Sequence, residues 1–256
     1  GTPVRNEFLP VLRPNISREE VESVSKTILT GWLTTGPKVQ DFQEEISKYV
    51  GARYAVSTHS CTAALHLALL AFDIRDGDEV ITTPYTFVST SNVILYQRAK
   101  PVFVDIDPKT CNIDPEKIEE KISSKTKAII PVHFAGQPCD MDRIMEIAED
   151  HNLYVIEDAA HALGSKYKGK MIGSIGDVTC FSFYATKNIT TGEGGMLTTE
   201  LEEIAEKARR LCLHGMDKDA WKRYSSVGNW FYDITCLGFK YNMTDIKAAM
   251  GLVQLR

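Results

Sequence analysis

The sequence predicts an α/β fold built on a mainly parallel sheet covered by helices. Three observations carry that prediction. Short apolar runs alternate with helical patterns along nearly the whole chain. The runs are continuous in Val and Ile, as strands buried on both faces are, and do not alternate with polar residues. They also end in small polar residues, at the strand exits where such sheets bind ligands.

The elements follow in order. "SREEVESVSKTILTG" opens on a capping box, with Ser17 as N-cap and Glu20 three residues on. Val21, Val24 and Ile28 are expected to form its apolar face, and Gly31 to end it. "KVQDFQEEISKYVG" reads as a second helix with the same ending. The strand–helix alternation then begins. "RYAVST" leads to "TAALHLALLAF", and "DEVITT" to a helix around Ser89–Gln97. "KPVFVDI" precedes a helix at "DPEKIEEKI", with Asp114 as N-cap and Pro115 at its first position. "KAIIPVH" leads to a helix over Met141–Asp150. "LYVIED", "DVTCFSF" and "GGMLTT" are the last strands, followed by the helix "ELEEIAEKARRL". A polar, aromatic-rich segment spans about His214 to Tyr241, and "TDIKAAMGLVQLR" is a final helix from Thr244. Residues 1–12 read as an N-terminal segment, and 13–256 as one domain near the size at which a single core stops growing.

Composition narrows the function. Hydrophobic residues make up 43% and charged residues 25%, ordinary for a globular protein. A net charge of -5 with no basic cluster argues against nucleic acid. No apolar run is long enough to span a bilayer, and "GTPVRNEFLP" has no signal-peptide core. The expectation is a cytoplasmic protein with no membrane partner, and the sequons at Asn15, Asn188 and Asn242 are read as chance. The six cysteines are scattered without metal-ligand spacing. Cys212 and His214 form no more than a lone pair, so no metal is expected.

Chemistry is therefore sought at the strand exits. Thr62 and Ala63, in "STHSCTAALHLALL", stand where a helix starts and its free N–H groups can hold a phosphate. Ordinary capping explains the same residues. Asp158, in "LYVIEDAAHALG", ends an apolar strand beside Glu157, and the two carboxylates should point to opposite faces. A structural ion pair accounts for Asp158 as well as a function does. Phe87, in "PYTFVSTSN", is either core or an aromatic wall. Lys187, in "SFYATKNITTGEGG", lies five residues after Ser182 and just before a glycine cluster. A partly buried lysine has a lowered pKa and becomes a nucleophile toward aldehydes, although most lysines are simply solvated. Two other motifs fail. "GSKYKGK" has P-loop spacing, but Met171 stands where the magnesium-binding hydroxyl belongs and no helix follows. "GEGGML" is not the nicotinamide fingerprint.

Together the exits supply an amine, a carboxylate, a phosphate cup and an aromatic wall, the set that pyridoxal 5'-phosphate requires. "GWLTTGP", "DEVITTPYTFVST", "KAIIPVHFAGQP", "VIEDAAHALGS", "FSFYATKNITTGEGG" and "GFKYNMTDIKAAMGLVQL" also occur in one order. In this the chain resembles the sugar-nucleotide aminotransferases, a fold-type-I pyridoxal-phosphate family that includes enzymes of lipid A modification. The resemblance runs from about Leu12 to Leu255. It implies that Lys187 bonds to the cofactor aldehyde, that Asp158 pairs with the pyridine nitrogen, and that His161 lies at the ring's polar edge. It implies that Phe87 stacks on the ring and that Thr62, Ala63 and Ser182 hold the phosphate. Asn242 would reach the phosphate from the neighbouring subunit of a homodimer with shared active sites. The implied reaction moves an amino group from glutamate to a keto-sugar nucleotide, in polysaccharide, lipopolysaccharide or amino-sugar biosynthesis. Lysine at 187 argues against the related sugar dehydratases, which carry histidine there. The sequence stops at Arg256 inside a predicted helix. The resemblance therefore implies that the family's C-terminal small domain is missing, and keeps a non-catalytic regulator or dimer partner as the alternative.

Overall fold

The structure is a computed structural model that describes residues 4–5, 7–10, 12–217 and 233–256. Part of the aromatic-rich segment expected over 214–241 thus lies outside the described residues, as do five positions of the N-terminal segment. Seven strands form one sheet: β1 (Tyr54–Thr58), β2 (Glu79–Thr82), β3 (Lys100–Phe103), β4 (Thr126–Ile129), β5 (Tyr154–Asp158), β8 (Val178–Ser182) and β9 (Gly195–Thr199). Their order is β1-β9-β8-β5-β4-β2-β3. β9 is antiparallel to both its neighbours, and the remaining ladders are parallel. The mainly parallel sheet expected from the continuous apolar runs is therefore present, with one strand reversed in it.

Helices cover both faces. On one lie α3 (Cys61–Ala71), α4 (Ser89–Tyr96) and α6 (Glu202–Cys212), packed with Val56, Ile156, Val178 and Leu197 into one core. α3 is apolar all round, and Leu65, Leu67 and Leu69 are all fully buried, as a helix inside a core must be. On the other face α2 (Pro37–Val50) and α7 (Asp245–Gln254) pack with Ala55, Phe181 and Met196, and α5 (Met141–Asp150) packs with Ile129 and Val155. Alternate residues of each strand thus serve opposite cores. This alternation sends Glu157 and Asp158 to different faces, as expected.

Three local expectations change. Helix α1 (Arg18–Leu29) has the predicted capping box at Ser17 and Glu20, but Val21 and Ile28 are 59% and 50% exposed. Its polar face is the one turned to α7. There Ser23 Oγ donates to Ala249 O at 2.9 Å and Gln254 Nε2 to Glu20 Oε1 at 2.5 Å. The stretch after Asp114 forms two 3-10 turns, Pro115–Lys117 and Glu119–Lys121, and not one helix. Asp114 still caps it, but Ile118 is its one fully buried side chain, too little apolar face for a longer helix. Finally, "GSKYKGK" and the following Met171 form a hairpin of β6 (Lys166–Tyr167) and β7 (Lys170–Met171). Lys168 and Gly169 turn it with φ of 49° and 87°, the left-handed pair that two-residue hairpins use.

Candidate active site

The parallel strands all end at one edge of the sheet, and the candidate residues are set along it. β1 ends at Thr58 and α3 begins three residues later, at Cys61. Ser60 is the N-cap, and its Oγ accepts from Ala63 N at 3.2 Å. The Ala63 N–H, part of the expected phosphate cup, is thus met by the cap within this structure. Among the described residues no protein group bonds the Thr62 N–H or its hydroxyl. Gly195, the first residue of β9, pairs with Thr58 on one side and Ser182 on the other. A Cβ on Gly195 would sit 2.4 Å from Ser60 C and 2.5 Å from Cys61 N. Glycine there lets the N-terminus of α3 lie directly against the sheet edge, next to Ser182. Ser182 is buried, and its Oγ accepts from Tyr184 N at 3.3 Å.

Asp158 ends β5 and is 4% exposed. Its Oδ2 accepts from Thr90 Oγ1 at 2.8 Å and its Oδ1 from Ala160 N at 3.2 Å. Lys187 is half-buried just beyond β8, and its Nζ lies 2.6 Å from His161 Nε2. Burial lowers the Lys187 pKa, partly opposed by the charges of Cys61 and Asp158. Burial also lowers the His161 pKa, and the positive charge of Lys187 lowers it further. An ammonium donating to Nε2 requires that nitrogen to be bare, which assigns His161 the tautomer with its proton on Nδ1. Phe87 precedes α4 and is 76% exposed. It is therefore no core residue, and its carbonyl accepts from Thr90 N at 3.2 Å. Asn242 forms a bridge with Thr58, so it lies at the same sheet edge in its own chain. Its Nδ2 donates to Thr35 Oγ1 at 2.7 Å and contacts none of the other candidates.

Direct contact thus joins Lys187 to His161, and strand register joins Ser182 to the start of α3. The sequence reading missed Thr90, Ser60 and Cys61. The Cys61 thiol is buried at the first turn of α3, where burial, Asp158 and Cys180 push its pKa up and Lys187 opposes them. A signal for Thr90 exists in its spacing of four from Thr86, one helical turn, but Thr pairs are too common to be chosen on that ground. Also missed was the network behind Glu157. Glu157 is fully buried and accepts from His133 Nε2 at 2.8 Å, Gly176 N at 2.8 Å and Thr179 Oγ1 at 2.6 Å. Burial opposes a second proton on His133, while the Cys139 thiol and the Glu157 carboxylate attract one more strongly. The backbone is against it: Cys139 N–H already points at His133 Nδ1, at 3.1 Å, and a second N–H there would meet it head-on. We assign the neutral ring with its proton on Nε2.

Among the described residues no cluster of three or more His, Cys, Asp or Glu could hold a metal, and Cys212 Sγ turns to Ser57 O at 3.7 Å. Among the described residues no helix is long and apolar enough to cross a membrane.

The sequence profile of the DegT/DnrJ/EryC1/StrS aminotransferase family matches residues 14–256. The spore coat polysaccharide biosynthesis protein SpsC of Bacillus subtilis is 58% identical over 252 residues, covering 98% of this chain and 65% of that protein. A solved structure described as a sugar aminotransferase of Streptococcus pneumoniae, in its PMP form, superposes with a TM-score of 0.91 at 40% identity. It covers 97% of this chain and 67% of its own. The structure of DesI with its TDP-sugar product gives 0.83 at 34% identity, covering 94% of this chain and 59% of that one. The chain spans about two thirds of the length of the curated relatives it matches, 66% and 65%.

Proposed function

The chain belongs to the DegT/DnrJ/EryC1/StrS aminotransferase family, and from that premise we propose that it is a pyridoxal-phosphate-dependent aminotransferase. It moves an amino group from glutamate to a keto-sugar nucleotide. The observation that carries this reading is the half-buried Lys187 amine bonded to His161, beside the buried Asp158 carboxylate. The donor set fits the cofactor. Lys187 offers an amine of lowered pKa, Asp158 an acceptor at the end of a buried strand, and Thr62 an unclaimed N–H at a helix N-terminus. The glycine-dependent contact of β9 with α3 brings Ser182 to that same N-terminus.

Each residue then has a task. Lys187 would bond to the cofactor aldehyde. Asp158 would hold the ring nitrogen, and Phe87 would cover the ring from its exposed position. Thr62, Ala63 and Ser182 would hold the phosphate at the N-terminus of α3. Asn242 would approach the phosphate of a second copy once released from Thr35. When bound, pyridoxal phosphate supplies an aldehyde that takes up the amino group and a ring that draws electrons from the carbon losing its proton. The protein moves the protons. His161 Nε2 would hold the Lys187 nitrogen in place by accepting from it, and the Lys187 amine, once free, would take the substrate carbon's proton as general base.

SpsC supports a role in polysaccharide biosynthesis, and the TDP-sugar on DesI supports a nucleotide sugar as acceptor. Exposed Val4, Phe8, Leu9, Val21 and Leu29 support a homodimer that covers the N-terminal segment and α1. The absence of disulfides among the described cysteines fits a cytoplasmic protein. The test is optical. Purified chain supplied with pyridoxal phosphate develops the visible band of the lysine-bound cofactor. Glutamate bleaches it, and a UDP- or dTDP-4-keto sugar restores it. No band in the wild-type chain sinks the proposal, and a band that ignores glutamate returns the non-catalytic reading.

A further inference from the structure

Thr90, at the second residue of α4, is fully buried, and three oxygens surround its hydroxyl. Asp158 Oδ2 and Thr86 Oγ1 are each at 2.8 Å, and Phe87 O is at 3.1 Å. The hydroxyl has one hydrogen to give. The carboxylate is the strongest acceptor of the three and shares the shortest distance. The Phe87 carbonyl already has the Thr90 N–H. Thr86 therefore donates to Thr90 and Thr90 to Asp158, a chain in which each bond strengthens the next. On the other side Ala160 N–H holds Oδ1. The carboxylate is thus pinned at both oxygens by donors from two separate elements.

We infer that Thr90 is a positioning residue. Its hydroxyl anchors Asp158 Oδ2, so that the carboxylate is held in one orientation and keeps its remaining lone pairs for the ring nitrogen of pyridoxal phosphate. The inference rests on the reading of Asp158 given above. Donors on both oxygens fix the plane of the carboxylate. Without the Thr90 donor the carboxylate is held at one oxygen only and is free to turn, so its negative charge no longer stays against the ring nitrogen, which holds its proton less firmly. The ring then draws electrons less strongly, and the proton-transfer steps slow.

The experiment loads the chain with pyridoxal phosphate carrying 15N at the ring nitrogen and records the nitrogen chemical shift. The wild-type chain is expected to show the protonated position. Thr90→Val keeps the shape and removes the donor, and is expected to move the shift toward the unprotonated position. Its kcat should fall about tenfold, the weight of one hydrogen bond to a charged group, with KM for glutamate nearly unchanged. Thr90→Ser keeps the hydroxyl and is expected to return both values. Should the valine variant fail to fold, Thr90→Ala gives the same reading. A wild-type shift in the variant without the hydroxyl overturns the inference, as does a serine variant that behaves like valine. A wild-type chain that holds no labelled cofactor overturns the inference together with the proposed function.

Discussion

β5 ends in two adjacent carboxylates that share a chemistry and nearly a burial, yet have opposite surroundings. Glu157 faces the core under α5, where His133, Gly176 and Thr179 supply three donors and close the space around it. Asp158 faces α3 and α4, where two donors hold it and its charge acts on Lys187 and His161. Burial alone does not separate a structural carboxylate from a working one, since both are under a twentieth exposed. The difference lies in what the donors leave free. A fully satisfied carboxylate holds the fold together, and one with lone pairs left over toward an amine is ready for a ligand.

That contrast breaks most severely at the amine. Lys187→Ala is expected to remove the visible cofactor band and to lower turnover by roughly 10⁴-fold or more, because nucleophile and general base are lost together. Thermal melting of the cofactor-free chain should barely move, since Lys187 is half-buried and makes one side-chain bond. A variant that turns over glutamate at a measurable fraction of the wild-type rate would contradict the role. Asp158→Asn comes next. It keeps the shape and removes the charge, so kcat is expected to fall on the order of 10²-fold in steady-state assays while the band remains. An unchanged kcat would place Asp158 with Glu157 as a structural group.

The opposite face sharpens the comparison through stability. Glu157→Gln leaves three donors facing an amide that accepts with one oxygen and presents hydrogens on the other side. The expected cost is about 2 kcal/mol, measured as a lower midpoint in urea with the slope unchanged. The kcat of the folded fraction should stay within about twofold, a limit set by the absence of any Glu157 contact to the site. A large loss of kcat without a loss of stability would reverse the assignment of the two faces.

Much of this was legible in the sequence, for physical reasons. Strand alternation alone sends Glu157 and Asp158 to opposite faces. The capping box at Ser17 and the bounds of α5 depend on neighbours within one turn, and the structure keeps both. What the sequence hid depends on distant segments. His133 and Glu157 are 24 residues apart and meet because β4 and β5 pair. Thr90 meets Asp158 across 68 residues. The face of α1 was misjudged because Glu20 and Ser23 find partners on α7, more than 200 residues away, and these hold the polar side inward. The reversal of β9 had no local sign beyond its glycines, because "GGMLTT" reads the same in either direction of pairing.

The smallest expected effect is the pH dependence of stability, and it tests the closed face most directly. Burial pushes the Glu157 carboxyl up, but His133, Thr179 and Gly176 N–H outweigh it and hold it below its ordinary value of 4.5. A carboxyl depressed in the folded state binds fewer protons there than in the unfolded chain. Its contribution is therefore complete above pH 4.5 and is lost as pH falls through the folded value. Asp245 acts in the other direction. Burial raises its pKa although Gly36, Lys38 and Val39 N–H oppose the rise, so its protonation recovers some stability over the same acid range. Glu20 and Glu79, also held down by their hydrogen bonds, add to the acid loss, and Asp177, raised by burial, opposes it, so the net acid slope is a sum over these groups. In Glu157→Gln the Glu157 contribution is absent and the others remain. Urea midpoints measured from pH 6 down to pH 3 should therefore fall less steeply in the variant than in the wild-type chain. Parallel slopes would show that folding leaves the Glu157 carboxyl as acidic as in the unfolded chain, and a steeper fall in the variant would show that Glu157 is protonated in the folded protein.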